Sequence, residues 1–151
     1  MIKVITVGSI KEKYLREAIE EYKKRLSKYT NLELIEVKDE GLVEKDKALH
    51  LEAEKILKNI NTKDYIITLE IEGNQLTSEE FSKKIETTLI ENSNITFIIG
   101  GSYGLDDEIK KLSNYKLSFS KMTFPHQLFR VVLLEQIYRA YKIINNENYH
   151  K

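Results

Sequence analysis

The sequence contains no cysteine and no tryptophan, and it has one proline and only six glycines. Without cysteine the chain cannot form a disulfide, a thiolate metal site or an iron–sulfur cluster, and it has no cysteine nucleophile. We therefore expect a protein of a reducing compartment, the cytoplasm. The shortage of proline and glycine excludes a collagen-like or linker-like chain.

Long hydrophobic runs are also missing. No stretch approaches the roughly 18 apolar residues that a transmembrane helix needs. The apolar segment 1–8 is too short for the hydrophobic region of a secretory signal, and Lys3 interrupts it. The sequence predicts a soluble, unprocessed protein with no membrane partner.

Acidic and basic residues balance over the whole chain, with 24 of each among 151 residues. The balance hides a split, because residues 110–151 carry a net charge of +6 and residues 1–109 carry −6. This asymmetry indicates a basic face for a polyanion, although a chance excess of basic residues on solvated helices gives the same count. A chain of this length forms one domain, residues 1–151, and buries a core without a disulfide or a metal.

Short apolar segments alternate with longer amphipathic ones, which predicts an α/β domain with a mostly parallel sheet flanked by helices. The segments typical of strands are 2–7, 32–37, 65–71, 95–99 and 116–119. The turn Glu72-Gly73-Asn74 is expected to end the third strand. The segments with helical spacing are 12–27, 43–60, 106–112 and 127–144, and one more helix begins at a capping box formed by Thr77 and Glu80.

The last helix, 127–144, is apolar on more than one face and needs cover on two sides. In a small domain a partner subunit often supplies the second cover, so this helix predicts a homodimer. The alternative is that the helix lies in the centre of its own domain.

A glycine-rich loop, Gly100-Gly101-Ser102-Tyr103-Gly104, follows the fourth strand at the sheet edge where α/β proteins bind ligands. It lacks the Gly-Lys-Ser/Thr of a Walker loop and the spacing of a dinucleotide fingerprint. Glycines there let backbone amides approach a flat ligand. A tight turn without a ligand is the alternative interpretation.

The same loop satisfies G-x-S-x-G, the nucleophile elbow of serine hydrolases, with Ser102 as its nucleophile. The remaining members of a triad would come from His126 or His150 and from Asp106, Asp107 or Glu108. Against this interpretation, the sequence has no His-Gly-Gly oxyanion loop upstream. Metal binding has little support, because the three histidines are isolated in the sequence and form no H-x-x-x-H pair.

Four blocks of the sequence resemble the ribosomal RNA large subunit methyltransferase H family, and the resemblance runs over the whole chain. The blocks are IGGSYG at 99–104, SFSKMTFPH at 118–126, RVVLLEQIYRA at 130–140 and YHK at 149–151. Members of this family are small SPOUT-class enzymes with a C-terminal trefoil knot. The resemblance implies transfer of a methyl group from S-adenosyl-L-methionine to N3 of a pseudouridine in a hairpin loop of 23S rRNA on the ribosome.

By position, the resemblance assigns the S-adenosylmethionine pocket to eight residues. They are Leu69, Gly100, Phe119, Ser120, Lys121, Met122, Thr123 and Phe124. A cofactor without phosphate suits loops that have no phosphate-binding motif, because backbone groups bind the adenine edge and apolar side chains cover its ring. The alternative for Leu69 and Phe124 is that they are ordinary core residues.

Methylation of N3 requires the ring nitrogen to lose its proton, so a base or a cation beside the resulting anion is needed. The resemblance points to Tyr149 and His150 for this task, with Arg130 and Arg139 as partners of an anion or a phosphate. A disordered tail is the usual alternative at a chain terminus.

The residues and the resemblance together lead us to expect a metal-free homodimer, and the resemblance implies that it works on the ribosome and its 23S rRNA. A second class of function also fits the residues: an RNA-binding or ribosome-binding module that keeps the cofactor pocket but catalyses nothing.

Overall fold

Five parallel strands form one sheet in the computed structural model, which describes residues 1–151 of the chain. The strands are β1 (Ile2–Val7), β2 (Leu32–Val37), β3 (Tyr65–Gln75), β4 (Ile95–Ile99) and β5 (Tyr115–Ser118). Their order in the sheet is β2-β1-β4-β3-β5. The predicted α/β class with a parallel sheet is confirmed.

Five helices connect or follow the strands: α1 (Lys13–Leu26), α2 (Lys45–Leu57), α3 (Ser78–Glu91), α4 (Asp107–Leu112) and α5 (His126–Ile144). The bounds of α1, α2, α4 and α5 lie within three residues of the predicted ones, and α3 begins at the predicted capping box. The capping box at α3 is also confirmed. The Thr77 hydroxyl accepts a hydrogen bond from the Glu80 amide at 3.1 Å, and the Glu80 carboxylate accepts one from the Thr77 amide at 2.8 Å.

The helices cover both faces of the sheet, because strand side chains alternate in direction. Ile2 and Val4 of β1 belong to a core cluster with α1, α3 and α5. Ile5 and Val7 belong to a second cluster with α2 and α4. Every residue of β1 is therefore buried, which explains why this strand is apolar apart from Lys3 and Thr6.

Strand β3 is longer than predicted, and the turn expected at residues 72–74 is wrong. The chain bends away after Leu69 and returns to β5, so Leu117 is the register partner of both Leu69 and Asn74. Gly73 makes this possible, because a Cβ at this position would lie 2.8 Å from the carbonyl carbon and oxygen of Lys116. Residues 69–75, here called the wrapping segment, thus bulge out between two pairings with β5 and press against its backbone at Gly73. This arrangement is consistent with the trefoil knot that the resemblance implies.

Helix α5 packs between α1 and α3 on one face of the sheet. Leu133, Leu134 and Ile137 are fully buried in that layer. The chain itself therefore supplies much of the cover that the apolar composition of α5 demands. The opposite line of the helix, which includes Leu128 at 40% exposure, remains available on the outside.

A buried ion pair joins the amino-terminal edge of the sheet. The Lys3 ammonium lies 3.4 Å from the Asp64 carboxylate, and both side chains are at most 5% exposed. Burial acts to raise the pKa of Asp64, but hydrogen bonds from Asn61, Thr96 and Asn94 and the charge of Lys3 outweigh it. The pKa of Asp64 is therefore lowered from its ordinary value.

Replacement of Asp64 by Asn leaves the Lys3 charge buried without a counter-ion and is expected to cost roughly 3–5 kcal/mol of unfolding free energy at neutral pH. Because the folded pKa of Asp64 lies below its ordinary 3.8, the stabilisation is present above that pH and is lost as pH falls through the folded pKa. Urea unfolding at about pH 6 and about pH 3 measures the difference, which shrinks in acid. Glu17→Gln, in the exposed pair with Lys13, is the control and changes stability by less than about 0.5 kcal/mol. An Asp64→Asn effect of equal size at both pH values would contradict this account.

Candidate functional site

A cavity of about 720 Å³, here called the first cavity, opens at the carboxyl ends of β3, β4 and β5. Its walls come from the wrapping segment, the loop after β4, the loop after β5 and the start of α5. Ligands of open α/β sheets bind at this edge, where parallel strands end together.

The loop after β4 is held closed by its own backbone. The Gly104 amide donates to the Gly101 carbonyl at 3.0 Å, and Gly104 adopts a φ of +80°. Gly100 packs directly on the Gly104 backbone, where a Cβ would collide with the carbonyl group. Both glycines are therefore required by geometry, and the loop presents backbone rather than side chains to the first cavity.

The loop after β5, residues 118–124, is anchored at one end and open at the other. Phe119 packs against Phe81 and Phe129, with ring centroids 6.3 and 5.1 Å away. The Ser120 hydroxyl accepts a hydrogen bond from the Met122 amide at 2.9 Å, which bends the chain. Met122 is 77% exposed and lies at the mouth of the first cavity. The loop thus has a rigid base and an accessible apolar rim.

Two carboxylates of the wrapping segment line the first cavity. Glu70 is half-buried and accepts a hydrogen bond of 2.6 Å from the Thr68 hydroxyl, and Glu72 is exposed. The sequence interpretation missed both residues because it placed Glu70 in an ordinary strand and Glu72 in a turn. The basic groups that line the same cavity are Lys110 and, when protonated, His126. The edge formed by Glu70 and Glu72 therefore favours a ligand that carries positive charge.

Arg130 lies outside the first cavity and is only 5% exposed. Its guanidinium donates to the Glu36 carboxylate at 2.7 Å and to the carbonyls of Val7 and Gly8 at 3.0 and 2.9 Å. Burial lowers the pKa of Arg130, and the nearby Glu36 carboxylate opposes this shift. The side chain thus ties α5 to the ends of β1 and β2, where it lines a second cavity of about 580 Å³.

The chain terminus forms a compact polar group with α3 and α5, here called the tail cluster: Glu79, Glu135, Arg139, Tyr149 and His150. Arg139 binds Glu135 at 2.7 Å, and the Tyr149 hydroxyl donates to the same carboxylate at 3.1 Å. Burial, reinforced by the Glu135 charge, raises the pKa of Tyr149, while the hydrogen bond with Glu135 raises that of Arg139. The terminus is therefore bound to the domain.

The hydrogen bonds of His150 define its tautomer. Arg139 has only donors, so the Nδ1 atom of His150, 3.1 Å away, accepts and carries no hydrogen. Nε2 then carries the hydrogen and donates to Glu79 at 2.7 Å. Both ring nitrogens of His150 are thus engaged within its own chain.

The structure brings most of the expected cofactor residues together. Those that line the first cavity are Leu69, Gly100, Phe119, Ser120, Met122, Thr123 and Phe124, whereas Lys121 does not line it. The expected catalytic residues fall into two other places. Arg130 lines the second cavity, and Arg139, Tyr149 and His150 belong to the tail cluster, which lines neither cavity.

The hydrolase interpretation gains no geometric support. No hydrogen bond joins Ser102 to a histidine, and His150 is already occupied by Arg139 and Glu79.

No group of three or more histidine or carboxylate side chains in the chain is placed to hold a metal ion. None of the helices combines the length and the apolar character needed to span a bilayer.

Comparison with known proteins identifies the family. Residues 1–150 match the family described as "Predicted SPOUT methyltransferase". A Clostridium perfringens protein named ribosomal RNA large subunit methyltransferase H is 55% identical over 157 aligned positions, which cover 99% of each chain. A Methanococcus maripaludis protein, provisionally given the same name, is 57% identical with the same coverage.

A solved structure supports the fold independently of close sequence identity. It is described as a probable methylase family protein from Haemophilus influenzae Rd KW20, and it superimposes with a TM-score of 0.60 at 15% identity. The match covers 99% of this chain and 70% of the other. The fold, the family match and the full-length relatives agree: the chain belongs to the SPOUT methyltransferases, and among them to the ribosomal RNA large subunit methyltransferase H family.

Proposed function

We propose that the protein transfers a methyl group from S-adenosyl-L-methionine to N3 of a pseudouridine in a hairpin loop of 23S rRNA on the ribosome. The observation that carries this proposal is the first cavity, where two backbone loops and an acidic edge meet in a member of this family. A ribosomal substrate places the activity in the cytoplasm.

The residues of the first cavity fit S-adenosylmethionine in size, polarity and charge. Its volume of about 720 Å³ lies within the usual range for small-molecule sites. Leu69 and Phe124 offer apolar surface to an adenine ring, and the backbone groups of the two loops offer hydrogen bonds to its edge. Glu70 and Glu72, which line the cavity, would hold the positive charges of the sulfonium and the amino group.

The donor, when bound, supplies a methyl group on a sulfonium, an electrophile that needs accurate positioning more than covalent help. Positioning is the task of the closed loop at residues 100–104 and of the loop anchored by Phe119. Both loops are fixed by contacts within the chain before any ligand enters. The cavity is thus preorganised, which reduces the cost of binding.

In our proposal the tail cluster removes the proton from N3 of the acceptor base and stabilises the negative charge that remains on the base. Tyr149, His150 and Arg139 lie together at the chain terminus but outside the first cavity of their own chain. We therefore infer that they act in the site of a second protomer. Release of His150 from Glu79 frees Nε2–H to donate to an oxygen of the acceptor base, and Nδ1, once released from Arg139, takes the N3 proton.

A homodimer that uses the outer line of α5 accounts for this arrangement. Leu128, Val132 and Ile143 lie on that line at helical spacing, and Arg139 and Glu135 of the tail cluster lie between them. Two protomers paired there bring two basic C-terminal regions to one ribosomal surface.

Methyl transfer to ribosomes tests the proposed function directly. Ribosomes from a strain without this activity are incubated with the protein and methyl-labelled S-adenosylmethionine, and the labelled nucleotide is mapped by mass spectrometry. We expect label on N3 of a pseudouridine in 23S rRNA. Calorimetric binding of the donor without any label transfer would instead support the non-catalytic RNA-binding module.

Replacement of Gly100 by Ala is expected to weaken donor binding by about tenfold or more, because the new methyl group forces the Gly104 backbone away and opens the loop. Isothermal titration with S-adenosylmethionine measures the change. Gly41→Ala is the matched control, since Gly41 lies in the exposed segment before α2 and lines neither cavity. Equal affinities of the two variants would show that the donor does not bind against this loop.

Deletion of residues 149–151 is expected to abolish methyl transfer while leaving donor affinity nearly intact. A mixture of this deletion protein with Gly100→Ala tests the shared site, because each dimer of mixed composition regains one complete site. At a donor concentration too low to load the Gly100→Ala sites, the expected recovery is about a quarter of wild-type activity, since half of the dimers are mixed and each has one working site of two. Subunits that exchange but recover nothing would place the tail in its own chain's site.

A further inference from the structure

The second cavity lies beside the first and shares only Gly101, Ser102 and His126 with it. We propose that it is the subsite for the acceptor nucleotide, a pyrimidine nucleotide of an RNA strand whose base points toward His126. This inference rests on the proposed methyl transfer and adds the place where the RNA enters.

The position of the second cavity in the sheet is the first argument. It opens where the carboxyl ends of β1 and β2 meet the loop after β4. In the sheet, β1 lies between β2 and β4. The connection from β1 runs to β2 on one side, whereas the later strands lie on the other side, so the strand order reverses next to β1. Open α/β sheets bind ligands in the crevice at such a reversal.

The wall common to the two cavities is the second argument. Gly101, Ser102 and His126 line both of them. A base in the second cavity is therefore adjacent to a donor in the first, as direct transfer between two bound groups requires. His126 also begins α5, a helix of 19 residues whose positive end favours the negative charge of a deprotonated base.

The polarity of the second cavity is the third argument. Its only hydrophobic lining residues are Val7 and Val37, in contrast to the apolar walls of the first cavity. The exposed Lys11 and Lys38 lie on its wall, and neither ammonium group forms a salt bridge within the chain. They suit the phosphates of an RNA strand.

Two further groups of the second cavity suit a nucleotide. The Asp39 carboxylate accepts a hydrogen bond from the Gly41 amide at 2.7 Å and has acceptor capacity left for a base N–H or a ribose hydroxyl. The buried Arg130 uses its two Nη atoms to hold Glu36 and the carbonyls of Val7 and Gly8 in place. The Glu36 charge is thereby neutralised beside the proposed RNA path.

Ser9→Trp tests the subsite, because Ser9 lines the second cavity but not the first. An indole at this position fills the second cavity. We expect an unchanged Kd for S-adenosylmethionine and a loss of about a hundredfold in kcat/KM for ribosomes. Ser93→Trp, at an exposed position on the opposite edge of the sheet, is the control and retains full activity.

A second variant tests the proposed contacts between lysines and RNA phosphates. Lys11→Ala combined with Lys38→Ala is expected to raise the KM for ribosomes about tenfold and to reduce the slope of log KM against log salt by about 1.4, roughly 0.7 for each contact. Lys63→Ala, an exposed lysine at the opposite edge, is the control. Donor affinity stays constant in all of these variants.

The outcomes separate this inference from the function on which it rests. An active wild-type protein together with a fully active Ser9→Trp variant would overturn the subsite alone. A Ser9→Trp variant that loses donor binding would also overturn it, since the second cavity would then belong to the donor site. A wild-type protein that transfers no methyl group would overturn the proposed function, and the subsite with it.

Discussion

The approach of Gly73 to β5 is the contact on which the site depends. A side chain at this position would meet the carbonyl group of Lys116 and the backbone of Leu117 at distances below 3.0 Å. Only glycine lets the wrapping segment pass so closely over the strand. This passage brings Glu70 and Glu72 to the loop after β5 and gives the first cavity its third wall. Without it, the edge of the sheet would be an open surface.

The chemical character of the first cavity follows from this construction. The loops at residues 100–104 and 118–124 present mainly backbone groups, small hydroxyls and apolar side chains. A phosphate would meet carboxylates there rather than a cradle of amides, whereas a cationic, phosphate-free donor meets a complementary edge. The protein thus contributes position and electrostatics, and the donor contributes the reactive group.

Periodicity predicted the strands and helices well because β1 and β4 are buried on both faces and α3 carries a capping box. The glycine loop and the residues around Phe119 were also identified from the sequence, the latter through a family resemblance. The full extent of β3 was not predicted, because Glu72-Gly73-Asn74 has the composition of a turn. The glycine serves a close approach of two backbones instead, and local sequence does not distinguish these uses.

The distant contacts of the arginines lay beyond sequence reasoning for a related reason. Arg130 and Arg139 were expected as partners of an anion or a phosphate, but both are engaged within the chain, Arg130 by Glu36, 94 positions away, and Arg139 by Glu135 and His150, 4 and 11 positions away. Arg130 meets Glu36 and the end of β1, and Arg139 meets His150 at the terminus. Such pairings depend on the order of the strands, which periodicity does not specify.

The two cavities along one edge of the sheet suit different ligands. The first cavity suits a small cationic donor, the second suits a polar and anionic strand, and His126 stands in the wall between them. The tail cluster lies apart from both and carries groups suited to proton transfer. A second protomer is the simplest way to bring these three parts together.

A crystal structure of the protein with S-adenosylmethionine tests the account most directly. We predict the adenine between the loops at residues 100–104 and 118–124, hydrogen-bonded to their backbone, with the sulfonium beside Glu70 or Glu72. A donor bound in the second cavity or at the tail cluster, with the first cavity empty, would contradict it.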